Sequence, residues 1–223
     1  AEESGQIVEI GEWVLDAACR TAAAWNRTLE RPVAVSVNVS TRQFMRHDFV
    51  ATVERVLAGS GCRPAWLKLE ITESLLLEDN EEVARMLARL HALGLVISID
   101  DFVTVYSALG YLYRFPVSQI KIDRSFVRDI PQDVNKSELV QAILSIAAAL
   151  RLQVIAEGVE TQDEVDYLLA HGCWCVQGYL FGAPMPAAAL DPILHAGCRM
   201  TAGSSAPAIM EFPQSETTML IKA

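Results

Sequence analysis

Val96-Ile97-Ser98-Ile99-Asp100-Asp101 is a short, mostly apolar run that stops at two adjacent carboxylates. The same pattern recurs on both sides of it. Upstream, Val33 to Val37 ends at Asn38, and Trp66 to Leu69 ends at Glu70. Downstream, Gln119–Ile120 leads to Lys121 and Asp123, Val154 to Ala156 leads to Glu157, and Trp174 to Val176 ends at Gln177. A buried parallel strand reads as a short apolar block, and strands that alternate with helices form a parallel sheet with right-handed crossovers. In a (β/α) barrel the chemistry gathers at the C-terminal ends of the strands. If these ends converge, they bring together several carboxylates, an amide oxygen and an ammonium, a set suited to metal-dependent phosphate chemistry.

The intervening stretches carry helical signals. Trp13, Val14, Ala17, Ala18 and Ala22 recur at helical spacing within Gly11 to Trp25. Further helices are expected over Asp48 to Ala58, Glu81 to Leu93, Ser137 to Leu150 and Thr161 to Ala170, with a short one ending near His195. Gly94 sits where a C-terminal glycine is favoured, and Thr161 with Glu164 forms a capping box. A Rossmann-type sheet would show a glycine-rich turn after its first strand, and the turn after Asn38 has none. The reading is therefore an incomplete (β/α) barrel of about six βα units over residues 1–197, followed by a flexible Ser/Thr/Pro/Gly tail over 198–223.

Composition narrows the function classes. With 223 residues, 52% of them hydrophobic, the chain can build one large core. A formal net charge of −10 disfavours nonspecific binding to polymeric nucleic acid or to membranes. An anionic substrate would need bound cations to screen the carboxylates. No apolar stretch approaches the roughly 20 residues of a membrane span. Five scattered cysteines without a CxxC pair predict reduced thiols and a cytoplasmic setting. His171, Cys173 and Cys175 lack the second ligand pair that a zinc site would want.

Six motifs occur in order: Ser36-Val-Asn38-Val-Ser40, Leu69-Glu70-Ile-Thr-Glu73-Ser74, Ile99-Asp100-Asp101-Phe102, Lys121-Ile-Asp123-Arg-Ser-Phe126, Ala156-Glu157-Gly-Val-Glu160-Thr161 and Gln177-Gly-Tyr-Leu-Phe181. Together they resemble the EAL domain of bacterial cyclic-di-GMP phosphodiesterases, from residue 1 to about 195. The resemblance implies a modified TIM barrel that hydrolyses cyclic-di-GMP to linear pGpG with Mg²⁺ or Mn²⁺. It implies Asn38, Glu70 and Asp100 as metal ligands, with Asp100 bridging to a second metal that Asp101 helps to hold. Glu157 would be a ligand or the general base for the attacking water, and Lys121 would meet that water or the scissile phosphate. Asp123 would sit beside Lys121, Glu73 would anchor the loop after Asp101 with Glu160 in a supporting place, and Gln177 and Pro184 would meet substrate. The resemblance also implies a homodimer, fused to upstream sensory or cyclase domains in a cytoplasmic or membrane-anchored protein.

Each residue also has a plainer reading. Asn38 could end its strand by bonding its own backbone. Asp100–Asp101 could be a helix cap with a solvated neighbour. Lys121 and Asp123 could pair as a rim salt bridge, and Glu160 fits a surface or helix-start position.

Two departures from the family bear on activity. The Glu-Ala-Leu strand that supplies a further metal ligand is absent. The chain opens at Ala1-Glu2-Glu3-Ser4-Gly5 without methionine, as a segment of a longer polypeptide would. The family's Asp-Asp-Phe-Gly-Thr-Gly-Tyr-Ser reads here Asp100-Asp101-Phe102-Val103-Thr104-Val105-Tyr106-Ser107. Valine reaches positive φ only at a cost that glycine escapes, so reduced turnover is expected. A catalytically inactive cyclic-di-GMP receptor or dimerisation module is the alternative. An unrelated TIM-barrel metalloenzyme acting on a small phosphorylated substrate is a third reading.

Overall fold

The computed structural model describes residues 5–76, 81–102 and 112–196, and the backbone of 220–222. Val103 and Val105 lie outside the described residues, as does most of the expected tail. The chain divides into two compact units, one of residues 1–119 with 219–223 and one of residues 120–218.

In the first unit, β1 (Ala34–Val39), β2 (Leu67–Thr72) and β3 (Val96–Phe102) are neighbouring parallel strands. Side chains alternate between the faces of a strand, so each strand has two different sides. Val35, Val37, Val39, Leu67, Leu69, Ile71, Ile97 and Ile99 form one side, and all are buried. The helices Ile7–Trp25 and Phe49–Ser60 pack on one another, and the first also lies on β1 and β2; helix Glu81–Ala92 lies against β3. Each fully buried aliphatic side chain contributes about 1.5–3 kcal/mol, so this apolar layer carries much of the unit's stability. The opposite side carries Ser36, Lys68, Glu70, Ser98 and Asp100, which are buried as well. The sequence reading treated these strands as apolar blocks, whereas their period-2 alternation marks one polar face.

The turns follow local chemistry. Helix Phe49–Ser60 ends at Gly61 with φ 70°, and Gly94 follows helix Glu81–Ala92 with φ 93°, as expected of a C-terminal glycine. Helix Ile7–Trp25 runs through Gly11, where a Cβ would overlap the side-chain amide of Gln43. One-turn helices directly follow two strands. Thr41–Phe44 is capped by Ser40, whose Oγ accepts the Gln43 amide at 3.2 Å, and Glu73–Leu76 follows β2. Leu220–Lys222, near the end of the stretch expected to be a flexible tail, forms a strand parallel to β1 that pairs Ala34 with Leu220.

The second unit repeats the scheme. β4 (Gln119–Ile122), which starts at the last residue of the first unit, is followed by β5 (Gln153–Glu157) and β6 (Cys175–Gln177), in the order β4–β5–β6. β5 and β6 are parallel, and Glu157 stands in register with Gln177. Helix Val134–Leu150 starts three residues before the expected Ser137, because the Asp133 carboxylate accepts the amides of Asn135 and Lys136. Helix Gln162–Ala170 opens on the expected capping box, with Thr161 and Glu164 each bonding the other's backbone. No helix among the described residues is long and apolar enough to cross a membrane.

Candidate active site

In the first unit the predicted ligands sit at the C-terminal ends of adjacent strands. Asn38 on β1 is in register with Glu70 on β2, and Glu70 is in register with Ser98 on β3. Asp100 lies two residues beyond Ser98 and so shares its face. Glu70 is 1% exposed and Asp100 8%, while Asn38 and Asp101 are exposed. Consecutive strand residues ordinarily point to opposite faces. Asp101 escapes that rule by adopting φ 53°, a left-handed conformation that few residues other than glycine take. Its amide donates to Asp100 Oδ1 at 3.2 Å, and the two carboxylates present oxygens within 4.8 Å of one another. Glu73, buried, opens the one-turn helix after β2, just beyond the Glu70 strand end.

In the second unit, Lys121 is fully buried and its Nζ lies 2.6 Å from Glu157 Oε1. A buried ammonium demands a carboxylate partner, since an unpaired charge there is costly. The plainer reading of Lys121, a rim salt bridge to Asp123, is therefore replaced by a pair with Glu157 that the sequence did not suggest. Asp123 instead caps the helix Arg124–Val127, its Oδ1 accepting the Ser125 amide at 2.9 Å. Partial burial works to raise the Asp123 carboxyl, but the bonds from Ser125 and the amide and charge of Arg124 outweigh it and hold the group below its ordinary value.

The backbone around Glu157 is tightly specified. Gly158 has φ 70°, and a side chain there would strike that of Arg124. A Cβ on Gly178 would overlap the backbone of Val159, whose amide donates to Gln177 O at 3.0 Å. Gln177 presents a buried Oε1 without a hydrogen-bond partner among the described residues, which suits a polar ligand group. Glu160 is exposed and its amide donates to Glu164 Oε2 at 2.8 Å, so it is a helix-start residue. Pro184 is exposed in the loop before the helix Ala187–His195.

The alternative zinc ligands are engaged otherwise. His171 Nδ1 lies 2.7 Å from Tyr167 O, and its ring stacks on Tyr167 at 4.1 Å. Burial, with Cys175 beside it, pushes the Cys173 thiol up to about 12. Among the described residues, His171, Cys173 and Cys175 are not among the groups close enough to share an ion. The oxygens of Asn38, Glu70, Asp100, Asp101 and Glu157 are by contrast the donors a hard divalent cation prefers. Sequence reasoning missed the buried polar face that carries Ser36, Lys68 and Ser98 below these strand ends. The alternation within Leu67-Lys68-Leu69-Glu70-Ile71 was the signal that could have revealed it.

The EAL domain family model matches residues 1–184. The chain is 42% identical over 187 residues to the bifunctional diguanylate cyclase/cyclic di-GMP phosphodiesterase MucR of Pseudomonas aeruginosa, a match covering 84% of this chain and 27% of MucR. It is 41% identical over 191 residues to the cyclic di-GMP phosphodiesterase PdeR of Escherichia coli, covering 86% of this chain and 29% of PdeR. The chain thus spans little more than a quarter of these curated relatives. Among solved structures, the PaMucR phosphodiesterase in complex with c-di-GMP superposes with a TM-score of 0.81 at 42% identity, over 85% of this chain and 77% of that one. The EAL domain of Mycobacterium smegmatis DcpA gives 0.81 at 36% identity, over 86% of each chain. The fold class is therefore the α/β, TIM-barrel-like one of EAL structures.

Proposed function

The chain belongs to the EAL domain family, and from that premise we propose that it hydrolyses cyclic-di-GMP to linear pGpG with a divalent cation, Mg²⁺ or Mn²⁺. The observation that carries the reading is the Lys121–Glu157 pair, an ammonium and a carboxylate fixed 2.6 Å apart at a strand end. MucR and PdeR, both named as cyclic di-GMP phosphodiesterases, support the choice of substrate.

Asn38, Glu70, Asp100, Asp101 and Glu157 are the proposed cation ligands. Bound there, the cation would make a water acidic enough to supply hydroxide near neutral pH and would offset phosphate charge. The chain's own groups do the positioning. Lys121 holds the Glu157 carboxylate through a close ion pair, and Glu157 accepts the proton of the attacking water. Lys121, buried behind Glu157, brings its positive charge to bear on the attacking water or the scissile phosphate. Attack on phosphorus breaks the bond to one ribose 3′ oxygen, which leaves pGpG with a 5′ phosphate. The amide oxygen of Gln177 receives a donor of the nucleotide at the edge of the site, and Pro184 lies in the loop beside it. Glu73 steadies the segment after Asp101, Asp123 fixes the turn after Lys121, and Glu160 does the same before the helix Gln162–Ala170.

Incubation with cyclic-di-GMP and Mn²⁺, with nucleotides separated by anion-exchange chromatography, tests the proposal. pGpG formation lost in Glu157→Gln is the supporting result. Cyclic-di-GMP bound but never cleaved would support a second reading, a receptor, which Val103 and Val105 after the aspartate pair favour. No binding at all would point to another phosphorylated substrate. The cytoplasmic homodimer, fused to further domains, remains part of the same proposal.

A further inference from the structure

Lys68 is 3% exposed and serves none of the steps above. It lies on β2 two residues before Glu70, on the same face and about 7 Å away along the strand. Its Nζ donates to Gln119 Oε1 at 3.3 Å, and Gln119 is itself buried. Ser36 stands in register with Lys68, and Ser98 with Glu70. Both serine hydroxyls are buried without a hydrogen-bond partner among the described residues. Ser36, Lys68, Ser98 and Gln119 thus form a buried polar layer one step below the strand-end oxygens. Hydroxyl and amide dipoles alone compensate a buried ammonium poorly, and it needs a nearby opposite charge. The carboxylates on that face of β1–β3 are Glu70 and Asp100.

We propose that Lys68 is the internal counter-charge of the Glu70–Asp100 donor pair, a positioning residue that holds the two carboxylates together when no cation is bound. The inference rests on the metal-site reading and adds a consequence. A fixed positive charge stabilises the metal-free carboxylates and repels a dication, so Lys68 sets cation affinity below what the oxygens alone would give. That tuning keeps the donor set folded without metal and lets the cation exchange.

The experiment measures Mn²⁺ binding to the full chain at pH 8 by isothermal titration and metal-induced thermal shift, without substrate. Lys68→Met is expected to lower the melting temperature without metal and to tighten Mn²⁺ by about tenfold or more, tenfold being the size expected for a unit charge about 7 Å from a dication even at the permittivity of water. Gln119→Leu removes the hydrogen bond but keeps the charge, so its Mn²⁺ affinity is expected to stay within about twofold of wild type. Should wild type bind Mn²⁺ while Lys68→Met binds it equally or more weakly, the counter-charge role is wrong and the metal site stands. Wild type failing to bind Mn²⁺ removes the metal-site reading and this inference with it. If Lys68→Met folds only with Mn²⁺ present, the proposal holds. If both Lys68→Met and Lys68→Gln stay unfolded under saturating Mn²⁺, Lys68 is a core-packing residue and the proposal is overturned.

Discussion

Lys121 Nζ sits 2.6 Å from Glu157 Oε1 on the next strand, and no part of the lysine side chain reaches solvent. Removing one member of such a pair strands the other as a buried charge, at a cost of about 3–5 kcal/mol. Lys121→Met should therefore lower stability by about that amount in urea denaturation. Adding Glu157→Gln should restore part of the loss while leaving cyclic-di-GMP uncleaved. A single variant as stable as wild type would show that the pair is not formed in solution.

Asp101 carries its carboxylate on a left-handed backbone with φ 53°. Glycine adopts that conformation freely, so Asp101→Gly should be neutral or stabilising by up to about 1 kcal/mol. Asp101→Ala keeps the strain and should be less stable than the glycine variant. Both should lose Mn²⁺-dependent turnover, because the second carboxylate is gone from each. Thermal melts alongside nucleotide assays separate the strain from the chemistry.

Gly158 combines φ 70° with the close approach of Arg124. Gly158→Ala should cost about 1–3 kcal/mol and shift the turn that follows Glu157. Turnover should fall in the folded fraction, whereas an alanine at exposed Gly172, which meets nothing within 4 Å, should leave turnover unchanged. Equal turnover in the two variants would argue against a tight Glu157 turn.

Cys173 has its thiol pushed up to about 12 from an ordinary 9.0, chiefly by burial. Above pH 9 the unfolded chain releases this proton and the folded chain keeps it, so the folded state binds more protons. Stability must then fall with rising pH from about 9 toward 12, by at most about 1.4 kcal/mol per unit from this group. Cys173→Ala should show a flatter stability profile between pH 8 and about 10.5. Identical slopes would remove the assignment.

Val103 and Val105 stand where the family places glycine, in a stretch outside the described residues. Restoring glycine at both should raise cyclic-di-GMP turnover if the valines hinder the loop after Asp101. Unchanged kcat and KM would mean that the loop accommodates them.

Much of the fold was legible in the residues. The strand–helix alternation, the capping box at Thr161 and Glu164, and the glycine after helix Glu81–Ala92 all act over a few residues, and short-range chemistry survives in sequence. The one-turn helices after β1, β2 and β4 were missed because four residues are too few to show a helical period. The pairing of Lys121 with Glu157 was not legible, because Asp123 is near in sequence while Glu157 is 36 positions away. Only strand pairing brings the latter within reach.

The amino-acid order by itself determined which chemical groups end each strand: amide at 38, carboxylates at 70, 100, 101 and 157, ammonium at 121. It did so because a strand's length and its terminating residue are local properties. Tertiary structure decided how those groups are used: the left-handed turn at Asp101, the choice of Glu157 by Lys121, and the burial of Lys68 beneath Glu70. The last two depend on register between strands tens of residues apart. Register is set by packing the whole apolar face at once, and no single stretch of sequence encodes it.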